Sequence, residues 1–180
     1  MMLNRAVFFD RDDTLVKDVP YNGDPSKVEL LPNAAEALAL LDQHSFKLFL
    51  ITNQSGVGRG MITREQVQAV NDEMIRQLGK NYFTAIYCCY DDPENPIEGC
   101  RKPDPGMLFQ ARDDHDLALD LSYFVGDKLA DIQAGHNAGC KSILKDHGSP
   151  KQDKARKQAD YTAPDLLEIA HWILADAPNS

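Results

Sequence analysis

Apolar residues along this chain fall into two alternating kinds of segment. Short continuous runs bounded by polar residues predict buried strands at 6–9, 48–51, 85–89, 123–125 and 142–144. Between them the apolar positions recur every three to four residues, which predicts helices. One opens at Asn33, read as a cap with Glu36 three residues on, and runs through Leu38 and Leu41. A second opens on the capping pair Thr63 and Gln66 and carries Val67, Val70, Met74 and Leu78. A third starts at Asp104-Pro105, with proline at the first helical position. A fourth spans 129–138 and stops at Gly139, and the last spans 166–174.

Strands alternating with helices predict an α/β fold with a doubly wound, Rossmann-like, mostly parallel sheet. At 180 residues, the expectation is a single domain over 1–180. Ligands of such sheets sit at the carboxyl ends of the strands. The polar residues there are Asp10 and Asp12, then Thr52-Asn53-Gln54, then Gly126-Asp127-Lys128, with Arg101-Lys102 in the loop before the fourth strand.

Composition narrows the partners. The net charge of −9 and the lack of a basic cluster argue against nucleic acid. No apolar run is long enough to span a membrane. The first residues show no basic stretch followed by an apolar core and a cleavage site. Four cysteines are too few for a disulfide scaffold. A reduced, cytoplasmic setting is therefore expected, and a monomer is the default.

The strand-end set has its own chemistry. Two carboxylates about 4 Å apart repel by roughly 4 kcal/mol at an effective dielectric of 20. Asp10 and Asp127 can share a site only with a cation between them, and oxygen-only ligands suit Mg²⁺. Lys102, Thr52 and backbone N–H groups after Asp10 would bind a phosphoryl group. Carboxylates, a metal and a lysine equip a site for phosphoryl transfer.

Four segments in order, Asp10-Arg11-Asp12-Asp13-Thr14, Ile51-Thr52-Asn53-Gln54-Ser55-Gly56, Arg101-Lys102-Pro103 and Val125-Gly126-Asp127-Lys128-Leu129-Ala130-Asp131, resemble the motifs of the haloacid dehalogenase (HAD) superfamily of phosphatases. TNQSGVGRG, RKPDPGML and GDKLADIQA resemble more narrowly the heptose 1,7-bisphosphate 7-phosphatases, with histidinol-phosphate phosphatases as close relatives. The resemblance implies that Asp10 attacks phosphorus and that Asp12 serves as general acid and then base. It implies that Asp10, the Asp12 carbonyl and Asp127 hold Mg²⁺, and that Thr52 and Lys102 bind the transferring phosphoryl oxygens. Asp18, Tyr21, Asn53, Gln54, Ser55, Arg101 and Lys128 match substrate contacts. The substrate implied is a small phosphorylated sugar. With one helix between the first two motifs, and one helix and one strand between the second and third, there is no room for a large cap domain.

Two positions depart from the pattern. Asp13 stands where the family has glycine, although aspartate tolerates left-handed backbone angles better than most residues. Many relatives also carry a zinc loop before Arg-Lys-Pro. Here Cys89 and Cys100 keep their places, while Asp91 and Glu98 occupy the other two. Two thiolates and two carboxylates make a weaker zinc set than the usual structural combinations. The alternative is a loop held by its own turns at Pro93 and Pro96. Cys88 and Cys140 read as buried apolar fillers. Asp131 reads equally as a helix-face ion pair or as support for the metal site, and none of the five histidines is expected to be catalytic. A non-catalytic phospho-acceptor domain is the alternative of a different class; it would have no need of Asp12.

Overall fold

In the computed structural model, residues 4–178 are described. Six parallel strands, β1 (Ala6–Phe9), β2 (Lys47–Asn53), β3 (Phe83–Cys89), β4 (Tyr123–Gly126), β5 (Lys141–Lys145) and β6 (Tyr161–Ala163), form one sheet in the order β3-β2-β1-β4-β5-β6. The chain builds outward from β1 to β3, then returns to β4 on the other side of β1. The strand order therefore reverses between β1 and β4, where doubly wound sheets open a ligand crevice.

Among the described residues seven α-helices cover the sheet: α1 (Ala34–Gln43), α2 (Ser55–Gly58), α3 (Arg64–Leu78), α4 (Gly106–His115), α5 (Leu129–Ala138), α6 (Asp153–Gln158) and α7 (Leu166–Asp176). Because strand side chains alternate between faces, the same short runs feed two cores. Val7, Phe9, Leu48, Leu50 and Val125 pack with Leu38 and Leu41 of α1, Val70 and Met74 of α3, and Ile169 and Ile173 of α7. Ala6, Phe8, Phe49, Ile51 and Phe124 pack with Leu108 and Ala111 of α4 and Ala134 of α5. Phe8 stacks on Phe49 at 5.3 Å and on Phe124 at 6.5 Å, which ties three adjacent strands beneath the crevice.

The caps explain where the sequence reading held and where it did not. Thr63 and Gln66 form the expected reciprocal box at 3.1 and 2.9 Å. Gly139 ends α5 in the left-handed conformation, at φ 88°. Asn33, by contrast, does not cap α1. It sits at φ 61°, and its amide donates to the Asp165 carboxylate at 2.7 Å, joining α1 to the cap of α7. Helix α4 begins one residue after Pro105, with Gly106 N donating to Asp104 Oδ1 at 2.8 Å. Strand β6, the single-turn α2 and the short α6 have no counterpart in the predicted elements, and α7 runs two residues further than expected.

Candidate active site

Asp10 leaves the end of β1 with its N–H donating to Val125 O at 3.0 Å, so β4 aims it into the crevice. The next turn closes on one carbonyl, Arg11 O, which accepts the N–H groups of Thr14, Leu15 and Val16. Asp13 takes the left-handed conformation at φ 57°, as its departure from glycine requires, and its carboxylate accepts the Asp18 N–H at 2.9 Å. The substitution therefore pins the 13–18 turn.

Lys102 reaches Asp10 from the opposite wall. Asn53 clamps its backbone, accepting from Lys102 N at 3.1 Å and donating to Lys102 O at 3.3 Å. The Lys102 Nζ lies 2.7 Å from Asp10 Oδ1, 2.7 Å from Asp131 Oδ1 and 2.9 Å from Ile51 O. Its side chain is only 2% exposed. Burial alone would depress its pKa, but the charges of Asp10 and Asp131 overcome that and hold it above the usual lysine value. Asp131 resolves as a support residue. One oxygen meets Lys102, and the other accepts the N–H groups of Asp127 and Lys128 at 3.1 and 3.0 Å. Burial and the Asp10 charge push its carboxyl up while Lys102 and these N–H groups pull it down. The three direct contacts favour the ion pair with Lys102. Gly126 has to be glycine, since a Cβ there would collide with the Asp131 side chain.

Asp127 completes the centre. It is buried, and its Oδ1 has no hydrogen-bond partner. One oxygen each from Asp10, Asp127 and Asp131 lie within 4.8 Å of one another. Burial, then the Asp10 and Asp131 charges, pushes the Asp127 carboxyl up to about 9. An orphaned oxygen among crowded carboxylates fits a hard divalent cation, which would satisfy the one and neutralise the other.

The sign of that shift gives a test. Without metal, native Asp127 keeps a proton that the unfolded chain has lost, so its contribution to stability falls as pH rises from about 4 to 9. In EDTA, the denaturation midpoint is expected to be lower at pH 8.5 than at pH 5.5, with Mg²⁺ removing most of the difference. A midpoint indifferent to Mg²⁺ at pH 8.5 would argue against a cation on these carboxylates.

Above this centre lies a cavity of about 300 Å³. Asp10 and Asp12 are on its floor, and all seven expected substrate contacts, Asp18, Tyr21, Asn53, Gln54, Ser55, Arg101 and Lys128, line it. The 18–22 turn forms one wall, and no further domain covers it among the described residues. Thr52 is fully buried, and its Oγ1 accepts from Gln54 Nε2 at 2.9 Å, so it lies beneath the cavity wall.

The zinc expectation is corrected. Cys89 and Cys100 are joined in a disulfide, and sulfurs bonded to each other cannot serve as two thiolate ligands. The Asp91 carboxylate accepts the N–H groups of Ile97, Glu98 and Gly99 at 3.0, 3.0 and 2.6 Å, and so organises the loop itself. Glu98 points to Arg64 at 3.6 Å. Cys140 is a buried free thiol as expected, but Cys88 is only partly buried and accepts from Asn71 Nδ2 at 3.9 Å.

Four supporting residues escaped the sequence reading. Arg11 is fully buried beside Asp12, and Asn71 of α3 holds its far end at 2.9 Å. Gln152 donates to the carbonyls of Asp127 and Lys145 at 2.8 and 3.0 Å, steadying the loop after β4. His147 places Nε2 2.6 Å from Asp13 O, across the mouth of the first loop. Asn71 left one signal, a polar residue among the apolar positions of α3.

A doubly wound sheet with an aspartate, a buried lysine and a metal-ready carboxylate at its switch point fits phosphoryl transfer to an aspartate, and its relatives make it a phosphoric monoester hydrolase. Comparison with known proteins agrees. A HAD-hydrolase-like family model matches residues 99–169. The chain is 34% identical over 178 residues to the D-glycero-beta-D-manno-heptose-1,7-bisphosphate 7-phosphatase of Escherichia coli (strain K12), covering 93% of each chain. It is 31% identical to the D-glycero-D-manno-heptose-1,7-bisphosphate 7-phosphatase of Chlorobaculum tepidum, covering 98% of this chain and 97% of that one. The crystal structure of D,D-heptose 1,7-bisphosphate phosphatase from B. bronchiseptica, complexed with magnesium and phosphate, superposes with a TM-score of 0.83 at 31% identity, over 96% of this chain and 99% of that one. The chain belongs to the HAD-like hydrolases, in the family of these 7-phosphatases. That membership sets aside the non-catalytic phospho-acceptor alternative.

Proposed function

We propose that this protein removes the 7-phosphate of D-glycero-D-manno-heptose 1,7-bisphosphate in a Mg²⁺-dependent reaction through an aspartyl-phosphate. The observation that carries the reading is the single cluster of Asp10, Lys102 and the unpartnered Asp127 oxygen beneath a cavity with Arg101 and Lys128 on its walls. Two cations on the walls suit a substrate with a second phosphate.

In this reading an Asp10 carboxylate oxygen attacks phosphorus, the P–O bond to the sugar breaks, and Asp12 gives its proton to the departing oxygen. Asp12, now ionised, takes a proton from water. The resulting hydroxide attacks the phosphorus, and inorganic phosphate and free Asp10 are released. Lys102 neutralises Asp10 and binds the transferring oxygens. Thr52, buried beneath the wall, accepts from Gln54 Nε2 through its Oγ1 and so steadies the Gln54 side chain that lines the cavity. Mg²⁺, held by Asp10, the Asp12 carbonyl and Asp127, would supply positive charge for the phosphoryl group.

The chain works as one domain built on one sheet. A monomer is the proposed state. A cytoplasmic location is proposed from the sequence, but the Cys89–Cys100 disulfide stands against the reduced setting on which that expectation was built.

The test compares kcat/KM for heptose 1,7-bisphosphate, histidinol phosphate and other sugar phosphates, with Mg²⁺ and with EDTA. The heptose bisphosphate is expected to lead by at least about tenfold, a difference of roughly 1.4 kcal/mol in transition-state binding. EDTA should abolish turnover and Mg²⁺ restore it. A preference for histidinol phosphate would move the assignment to that substrate.

A further inference from the structure

Asp12 is asked both to give and to take a proton, so its carboxylate has to face the leaving oxygen in one orientation. A carboxylate offers roughly four lone-pair sites. Gln54 Nε2 and Arg11 Nη2 both donate to Oδ2, at 2.9 and 3.2 Å. Arg11 Nε donates to Oδ1 at 3.1 Å. One site is left, on Oδ1. The Arg11 side chain is 2% exposed, and the Asp12 side chain, at 18%, lies open to the cavity. The guanidinium is held in turn by Asn71, whose Oδ1 accepts from Nη1 at 2.9 Å. Asn71 is itself 1% exposed, on a helix whose neighbouring positions 67, 70 and 74 are core.

A buried arginine is costly unless every contact is good. An arginine that only filled space would be better replaced by an apolar residue. Here its fork lies flat along the carboxylate, a geometry that lysine cannot reproduce.

We propose that Arg11, anchored by Asn71, is a positioning residue that fixes the Asp12 carboxylate so that one Oδ1 lone pair alone exchanges the proton with the leaving oxygen and then with water. The inference rests on the reading of Asp12 as general acid and base. Arg11 acts only through Asp12 and touches no reacting atom.

The distinguishing readout is sensitivity to the leaving group. A sugar alkoxide needs a proton to depart, whereas p-nitrophenolate does not. Arg11→Met is expected to lower kcat on the best sugar phosphate roughly 10²-fold, with KM changed less than about threefold. First-turnover release of p-nitrophenolate should fall at least about tenfold less than that. The second step still needs Asp12 as base, so this variant should show a burst of one equivalent followed by slow turnover. Arg11→Lys should recover part of the loss. Asn71→Ala, which keeps the Arg11–Asp12 pair but frees its far end, should show the same selectivity at a smaller size. Should Arg11→Met fail to fold, these last two variants carry the test. Equal losses on both esters with no burst, in variants whose melting is unchanged, would overturn the positioning role. The Asp12→Asn control separates the two ideas. Wild-type turnover there would overturn the reading of Asp12 itself, whereas a large loss there with no selectivity at Arg11 would overturn the positioning alone.

Discussion

Asp10→Asn is expected to reduce kcat/KM by on the order of 10⁴ to 10⁶-fold while leaving the protein folded, because loss of a covalent nucleophile removes the reaction path rather than one contact. The substitution is nearly isosteric, and it relieves crowding. After burial, the Asp10 charge is the largest influence raising both Asp127 and Asp131, so its removal would let both ionise more readily. Metal-free stability should therefore hold or rise. A steady-state assay and a denaturant titration of one preparation check both halves. Substantial turnover by the folded variant would remove Asp10 from the mechanism.

Lys102→Met should be nearly as damaging, and it should harm stability too. Among the described residues the ammonium is the one cation in contact with both Asp10 and Asp131, and it is buried with them. Removing one partner of a buried pair leaves uncompensated charge and costs about 3–5 kcal/mol. Losing a preorganised cation at the transferring phosphoryl group costs roughly 10³-fold in kcat. Lys102→Arg keeps the charge but replaces a point charge by a planar fork in a space already filled by Asp10, Asp131 and Ile51 O. It should recover more stability than activity. Chemical denaturation and kcat separate these effects, and a Lys102→Met enzyme with wild-type kcat would contradict the role given to the lysine.

What could be read in the chain, and what could not, follows from distance along it. Strands β1, β2, β4 and β5 were legible because each holds a continuous, buried apolar run; β3, on the sheet edge, was legible from its apolar run although only its end residues are buried. The site was legible because doubly wound topology sends the residue after each strand to one edge, so Asp10, Thr52 and Asp127 had to be neighbours. Strand β6, at three residues on the sheet edge, is too short to show a period. Arg11 was in view but carried no signal, since its partner Asn71 is sixty positions away. His147 meets Asp13 from 134 positions away. Asp131 had two readings, a helix-face ion pair or support for the metal site, because its partner Lys102 lies in a distant loop; one oxygen meets that lysine while the other accepts N–H groups at the start of α5. Of the two readings of the 89–100 loop, a zinc set or a loop held by its own turns, the zinc set is the one the disulfide contradicts. The ends of the loop bring Cys89 and Cys100 together as the metal reading required, but as a bonded pair.

The most direct measurement is of the covalent intermediate. Enzyme mixed with substrate and Mg²⁺ is quenched in acid within the first turnovers. Borohydride then converts any aspartyl-phosphate to homoserine, and peptide mass spectrometry locates it. Homoserine at position 10, lost in Asp10→Asn and, with p-nitrophenyl phosphate as substrate, accumulating in Arg11→Met, is the predicted result. Continued turnover with position 10 unmodified at every quench time, or modification at another carboxylate, would contradict an Asp10 nucleophile held against Lys102.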